Sequence, residues 1–230
     1  SQWRFWEERW RPKSPKRIAD EMEYCRKEFG ATFFWLTDDN FNLARGKELA
    51  REIIDRGLSG EIIWFIQVRC DDVAENRDAV SEMQRAGCSW MLLGVESGDH
   101  SMLRELRKEG ASEAREAFKV LKENGIFGQG TFLIGHRKDT AKSIAKLREY
   151  ASGLDPDLAI FMILTPFPGT VLYEEAERDG LIEDHNWANY DMVHAIMPTE
   201  TLSKADVQEE LYECYRSFYG CTGTLPARTS

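Results

Sequence analysis

Five short apolar runs, each stopped by a polar or glycine-bearing turn, constrain this sequence more than anything else in it: TFFWLTDDNFN, EIIWFIQVRCD, WMLLGVESGD, GTFLIGHRKDT and FMILTPFPGT. A continuous apolar run of this length suits a strand buried on both faces, and each run is followed by a segment of helical periodicity. Strands alternating with helices predict βα units around a parallel sheet, an α/β fold. In a parallel barrel the ligand site gathers where strands end. Asp38, Asp39, Arg69, Glu96, Ser97, Gly135 and Thr165 all fall at such ends. Polar residues also end strands because chains turn there, so none of these positions carries the argument alone.

The helices can be bounded from local signals. Ser14-Pro15 is a capping hydroxyl followed by a proline preset for a first turn, Ile18, Met22, Cys25 and Phe29 repeat at helical spacing, and Gly30 closes the element. Further helices are expected from about Asn42 to Gly57, Glu75 to Gly87, Ser112 to Gly125 after a short turn at Ser101 to Leu106, Thr140 to Gly153, and Thr170 to Gly180. Asp155-Pro156-Asp157 is the turn that feeds the last strand. A final amphipathic helix from Ser203 to Tyr219, with Asp206 three residues after its cap, puts Val207, Leu211, Cys214, Tyr215 and Phe218 on one face. It is expected to pack outside the barrel as a lid or tail.

Five strands and six barrel helices with a helix first leave a strand missing at the start, where Ser1 to Lys13 reads as a loop. The expected architecture is a partial (β/α)6 barrel over 1–182 and an extension over 183–230. The missing strand and the absent initiator methionine suggest a fragment cut after a first strand, which would leave sheet edges and apolar surface uncovered.

Composition excludes some classes. A net charge of -10 argues against a nucleic-acid or membrane surface, since phosphate binding needs accumulated Lys and Arg. No apolar run approaches a membrane span, and cytoplasm is the expected compartment. Cys25, Cys70, Cys88, Cys214 and Cys221 are scattered without a Cys-x-x-Cys pair and read as free thiols. His100, His136, His185 and His194 lack ligand spacing and read as turn or surface residues, so no metal site is expected within the chain.

The run of SQWRFW, DDNFN, LLGVESGD followed by LRK, GTFLIG and TPFPGT resembles the radical S-adenosylmethionine enzymes, in their cobalamin-dependent branch. Within that branch the resemblance is nearest to the anaerobic magnesium-protoporphyrin monomethyl ester oxidative cyclase group. There a Ser-Gln-Trp segment follows the last cysteine of a Cys-x3-Cys-x2-Cys motif, as Ser1-Gln2-Trp3 opens this chain. The resemblance implies S-adenosylmethionine, a 4Fe-4S cluster whose cysteine ligands lie upstream of Ser1, cobalamin, a small-molecule substrate such as a magnesium porphyrin, and an electron donor such as ferredoxin or flavodoxin. Three thiolates would hold the cluster while S-adenosylmethionine occupies the fourth iron and yields a deoxyadenosyl radical. Without those thiolates the chain alone is expected to be inactive.

The resemblance also implies roles. Asp38 and Asp39 would receive the ammonium of S-adenosylmethionine, Glu96 the ribose or methionyl part with Ser97 beside it, and Lys108 or Arg107 the methionyl carboxylate, with Arg69 a weaker candidate. Gly130 and Gly135 would let the adenine approach the backbone, and Thr165-Pro166 would meet its other edge. Trp3, Phe5, Trp6 and Trp10 could shield the cluster or contact a flat tetrapyrrole. GHRKDT departs from the glycine-rich turn common in the family and keeps Asp139-Thr140. DDNFN and GVESGD look more like cobalamin-dependent methyltransferases, which leaves methylation of another substrate as the alternative. From other classes, a cluster-free barrel lyase would need a glycine-rich phosphate site and a catalytic lysine or metal carboxylates, and this sequence shows no strand-borne lysine, while a noncatalytic scaffold has no use for converging acids.

Overall fold

The computed structural model describes residues 11–97 and 113–220. Five strands form one sheet in the order β1-β2-β3-β4-β5: β1 Phe33–Trp35, β2 Ile63–Val68, β3 Cys88–Glu96, β4 Phe127–Ile134 and β5 Leu158–Ile163. The first four pair in parallel, and β5 joins β4 in the same sense, with Asp157 N–H on Gly128 O and Leu164 N–H on Ile134 O. Sequential parallel order with helices in the connections is the topology of part of a (β/α) barrel. By contact density the chain divides into two compact units, Ser1–Phe132 with Leu154–Ile160, and Leu133–Gly153 with Phe161–Ser230.

The first unit carries α1 Pro15–Phe29, α2 Leu43–Asp55, α3 Cys70–Glu75, α4 Arg77–Arg85 and α5 Ala114–Glu123. The local signals act as the sequence implies. Ser14 Oγ accepts the Arg17 amide at 3.2 Å, and Gly30 closes α1 in the left-handed region at φ 67°. Asn42 caps α2 through the Arg45 amide at 3.1 Å. One element differs from expectation. The helix expected to start at Glu75 is preceded by α3, a single six-residue helix that begins directly after β2, with Asp71 and Asp72 favourably placed in its first turn and Asn76 breaking it from α4.

The two faces of the sheet differ. Trp64, Ile66, Met91, Leu93 and Val95 are buried, and a Cβ on Gly128 or Gly130 would meet Phe118 of α5, so this face turns to the helices. The other face carries a row of rings in register across four strands: Trp35 to Phe65 at 5.5 Å, Phe65 to Trp90 at 4.9 Å, and Trp90 to Phe127 at 5.2 Å. Each contact of this kind is worth roughly 0.5–1.5 kcal/mol beyond area burial. Trp35 is 57% exposed on β1, at one end of the described sheet.

The second unit carries α6 Ala141–Leu154, α7 Val171–Arg178, a 3-10 turn at Trp187–Asn189, and α8 Lys204–Tyr219. Its own small core joins Ala176, Ile182, Tyr190, Ile196 and Met197. A reciprocal capping box between Ser203 and Asp206 starts α8, which buries Val207, Leu211 and Cys214. No helix among the described residues is long and apolar enough to cross a membrane.

Candidate active site

The strand ends of the first unit are shaped by specific bonds. Leu36 N–H donates to Phe65 O at 3.0 Å and Phe41 N–H to Gln67 O at 2.8 Å, so the loop between them is stitched to β2 at both sides. Asp38 and Asp39 stand exposed on that loop. Asn40 ties the loop to the next strand end, its side-chain oxygen accepting the Arg69 amide at 3.2 Å.

Arg69 is less available than its sequence position implies. Its guanidinium grips the neighbouring Asp71 carboxylate through three contacts of 2.7–3.2 Å. Burial pushes the Asp71 carboxyl up, but Arg69 outweighs it and holds the group below the usual carboxylate range. An incoming carboxylate would have to compete with Asp71 for the same two-pronged donor.

Glu96 ends β3 in an uncommon conformation. Its φ is 62°, in the left-handed region, and Ser97 N–H donates to Val95 O at 2.8 Å, closing a three-residue turn around it. The β3–β4 register shifts between Gly94 and Glu96. A bulge with a left-handed acidic residue re-aims that side chain out of the strand's alternation, and strain of this kind concentrates at functional sites. Ser97 is buried directly after it.

Gly130 has a packing reason. A Cβ there would lie 3.0 Å from the Phe132 ring and 3.2 Å from Phe118, so close helix–sheet packing accounts for the glycine without a ligand. Lys108 and Arg107, the turn at Ser101 to Leu106, the aromatics Trp3 to Trp10 and Cys221 lie outside the described residues.

In the second unit, Gly135 has φ 80° and turns the chain out of β4, while a Cβ would meet Ile163 and Val207 at 3.2 and 3.3 Å. The following loop is fastened by Asp139, whose carboxylate accepts the His136 amide at 3.0 Å and the Ser143 hydroxyl at 2.8 Å. Thr165 is buried and donates its hydroxyl to Ile163 O at 3.0 Å, which leaves its backbone as the part to offer a ligand. Sequence reasoning passed over one feature of this unit. Asp191 Oδ2 lies 2.8 Å from His194 Nδ1, on a turn bonded to β5 through Met192 O and Ile163 N–H at 2.7 Å.

The family model of the radical SAM superfamily matches residues 1–151, and the chain belongs to that superfamily. Among curated relatives, the anaerobic magnesium-protoporphyrin IX monomethyl ester cyclase of Cereibacter sphaeroides is 32% identical over 222 residues, 95% of this chain and 36% of the relative. The bacteriochlorophyllide d C-8(2)-methyltransferase of Chlorobaculum tepidum is 26% identical over 225 residues, 94% of this chain and 49% of the relative. The chain therefore spans between about a third and a half of these relatives. Among solved structures, the radical S-adenosylmethionine methyltransferase TsrM from Kitasatospora setae, with cobalamin and a 4Fe-4S cluster bound, matches with TM-score 0.63 at 20% identity, over 86% of this chain and 41% of that one. The fold is a partial radical SAM (β/α) barrel.

Membership in the superfamily implies S-adenosylmethionine and a 4Fe-4S cluster. The described residues do not fit the cluster: no group of three or more His, Cys, Asp or Glu among them could hold a metal ion, and the four described cysteines are separate free thiols. Burial pushes the Cys214 thiol up to about 12, which disfavours the thiolate that ligation requires. The strand-end carboxylates of the first unit do fit S-adenosylmethionine, a molecule with an ammonium, a sulfonium and ribose hydroxyls to satisfy.

Proposed function

We propose that this chain is the S-adenosylmethionine-binding part of a longer radical SAM enzyme that acts on a tetrapyrrole in the manner of an oxidative cyclase. The 32% identity across 95% of the chain to the Cereibacter sphaeroides cyclase carries this reading. Residues 1–182 are the barrel segment and 183–230 its extension. The cluster's cysteines come from sequence outside these 230 residues, and a ferredoxin or flavodoxin supplies the electron. A reducing cytoplasm suits the free thiols.

Within the chain, Asp38 and Asp39 hold the ammonium and Glu96 the ribose or methionyl hydrogen-bond donors, with Ser97 beside it. Lys108 pairs with the methionyl carboxylate, and Arg69 does so only by giving up Asp71. In the second unit Gly135 and Thr165 offer backbone to the adenine, and Gly130 serves packing first. When bound, S-adenosylmethionine supplies the group that attacks an unactivated carbon of the substrate.

A second reading, cobalamin-dependent methylation, is favoured by the Chlorobaculum tepidum methyltransferase, which matches 94% of the chain. The test uses the full-length protein, reconstituted anaerobically and given S-adenosylmethionine, a reductant and magnesium-protoporphyrin monomethyl ester. A ring-closed product with deoxyadenosine supports the cyclase reading. A methylated macrocycle with S-adenosylhomocysteine replaces it with the second, and cleavage of S-adenosylmethionine with no change to the tetrapyrrole removes the cyclase reading and leaves methylation of another substrate.

A further inference from the structure

The sheet face turned away from the helices of the first unit carries a buried polar side chain that none of the S-adenosylmethionine contacts uses. Along β4, a Cβ on Gly128 or Gly130 would meet Phe118 of α5, so strand alternation puts Phe127, Gln129 and Thr131 on the opposite face. Thr131 satisfies itself there, donating its hydroxyl to Leu93 O at 3.3 Å. Gln129 does not. It is 5% exposed, and its side-chain oxygen accepts the indole N–H of Trp90 at 3.1 Å. An indole nitrogen can only donate, so the amide atom facing it is the oxygen and the NH2 is the branch left over. That NH2 has no hydrogen-bond partner among the described residues. A buried donor without an acceptor costs roughly 1–3 kcal/mol, and a group of this kind needs a reason to be there.

The neighbours of Gln129 define the molecule that would supply the acceptor. Gln67 on β2 and Gln129 on β4 are both in register with Leu92 of β3, so two amides stand at one level of the sheet on alternate strands. Barrel interiors ordinarily fill such a level with Val, Ile and Leu, and amides in those places suit a polar contact more than a packed core. Two residues earlier on each of these strands runs the row Phe65, Trp90 and Phe127, continued by Trp35 of β1. Successive rings in it are inclined by 49–69°, which makes the row an apolar wall and not a stacking plane. Trp35 and Phe127 remain 57% and 38% exposed on that wall. A ligand seated against it is largely apolar and offers an oxygen to the amide donor beside it.

We propose that Gln129 Nε2 donates a hydrogen bond to a carbonyl-type oxygen of the substrate, ester or carboxylate, with Trp90 as the positioning residue. Trp90 acts by holding the amide oxygen, so that only the NH2 end is presented; without the indole N–H the amide is free to turn either end to the ligand. The proposal rests on the tetrapyrrole reading, whose substrate is a large apolar ring with such oxygens at its rim.

The test measures dissociation constants of the full-length protein, under anaerobic conditions, for magnesium-protoporphyrin monomethyl ester, for the corresponding free diacid, and for a magnesium porphyrin carrying only alkyl groups. Gln129→Met keeps the length of the side chain and removes the donor. Affinity for the ester, the diacid or both is expected to fall about tenfold, and whichever falls identifies the oxygen. The alkyl porphyrin and S-adenosylmethionine should bind within about twofold of wild type. Trp90→Phe keeps a ring in the wall and deletes the N–H, and a loss of about threefold is expected on the same ligand; this variant decides the matter if Gln129→Met does not fold. An equal loss for every porphyrin, a loss confined to S-adenosylmethionine, or unchanged affinity throughout overturns the contact and leaves the tetrapyrrole reading standing. A wild-type protein that binds none of the porphyrins removes the tetrapyrrole reading and this contact together.

Discussion

The hydroxyl of Tyr215 bonds both backbone groups of Phe161, donating to its carbonyl at 2.9 Å and accepting its amide at 3.2 Å. Phe161 lies in β5, the last strand of the sheet, so one side chain from α8 serves the outward backbone groups of an edge strand. Covering an edge in this way blocks its pairing with another chain. The Tyr215→Phe variant keeps the ring, which packs edge-on against Phe161 at 5.5 Å, and removes only the hydroxyl. Stability is expected to fall by about 1–3 kcal/mol in urea denaturation, with greater aggregation on heating. A change within about 0.5 kcal/mol would mean that water replaces the hydroxyl at no cost and that α8 does not guard this edge.

Glu96 is expected to trade stability for function. The left-handed region costs a non-glycine residue roughly 1–2 kcal/mol, and glycine returns part of that gain through its larger unfolded-state entropy, roughly 0.5–1 kcal/mol. Glu96→Gly should therefore be neutral or stabilising by up to about 1 kcal/mol in thermal unfolding. In the full-length protein the same variant, and Glu96→Gln, should weaken S-adenosylmethionine at least about tenfold by equilibrium dialysis. A Glu96→Gly protein that is clearly less stable, yet binds normally, would assign the residue to the architecture instead.

Gly130→Ala separates packing from ligand approach. The added methyl would press on Phe132 and Phe118 at 3.0–3.2 Å, and overpacking of this kind costs about 1–3 kcal/mol. Denaturation midpoints should drop, while the folded fraction of the full-length variant binds S-adenosylmethionine within about twofold of wild type. A large loss of affinity with unchanged stability would restore the adenine to this position.

What the sequence made legible was what short-range chemistry decides. Ser14, Pro15 and Gly30 bound α1 because a cap acts within four residues, and Ser203 with Asp206 start α8 for the same reason. The exposed pair Asp38 and Asp39 stands beyond β1 because the strand's apolar run stops there. The helix α3 was hidden, since six residues are too few to show a period. Which face Gly130 presents depends on the register of β4 against β3, and alternation alone does not say which side the helices take. Tyr215 and Phe161 are 54 residues apart, and a tyrosine on an apolar helix face gives no sign of the backbone it will meet. Glu96 and Met192 are residues with no preference for a left-handed conformation, so only tertiary structure reveals them.

Asp139 makes the pH dependence of the GHRKDT loop testable. It is 2% exposed, and beyond its carboxylate bonds its carbonyl accepts the hydroxyls of Thr199 and Thr201, each at 2.9 Å. Burial pushes its carboxyl above the usual range, and the Ser143 hydroxyl and His136 amide pull it back only in part. The folded protein thus holds this proton more tightly than the unfolded chain, whose aspartates titrate near about 3.9. Stability from this group is complete below the unfolded value and is lost as pH rises through the raised folded value. Asp139→Asn cannot ionise. Other carboxylates held low by arginines and lysines drive ordinary acid unfolding in both proteins, so the informative quantity is the difference between them. The variant's stability relative to wild type should improve as pH climbs from below about 4 toward neutrality, measured by urea titration at several pH values. A relative loss over the same climb would mean that the bonds to Ser143 and His136 outweigh burial and that the loop depends on the charged form.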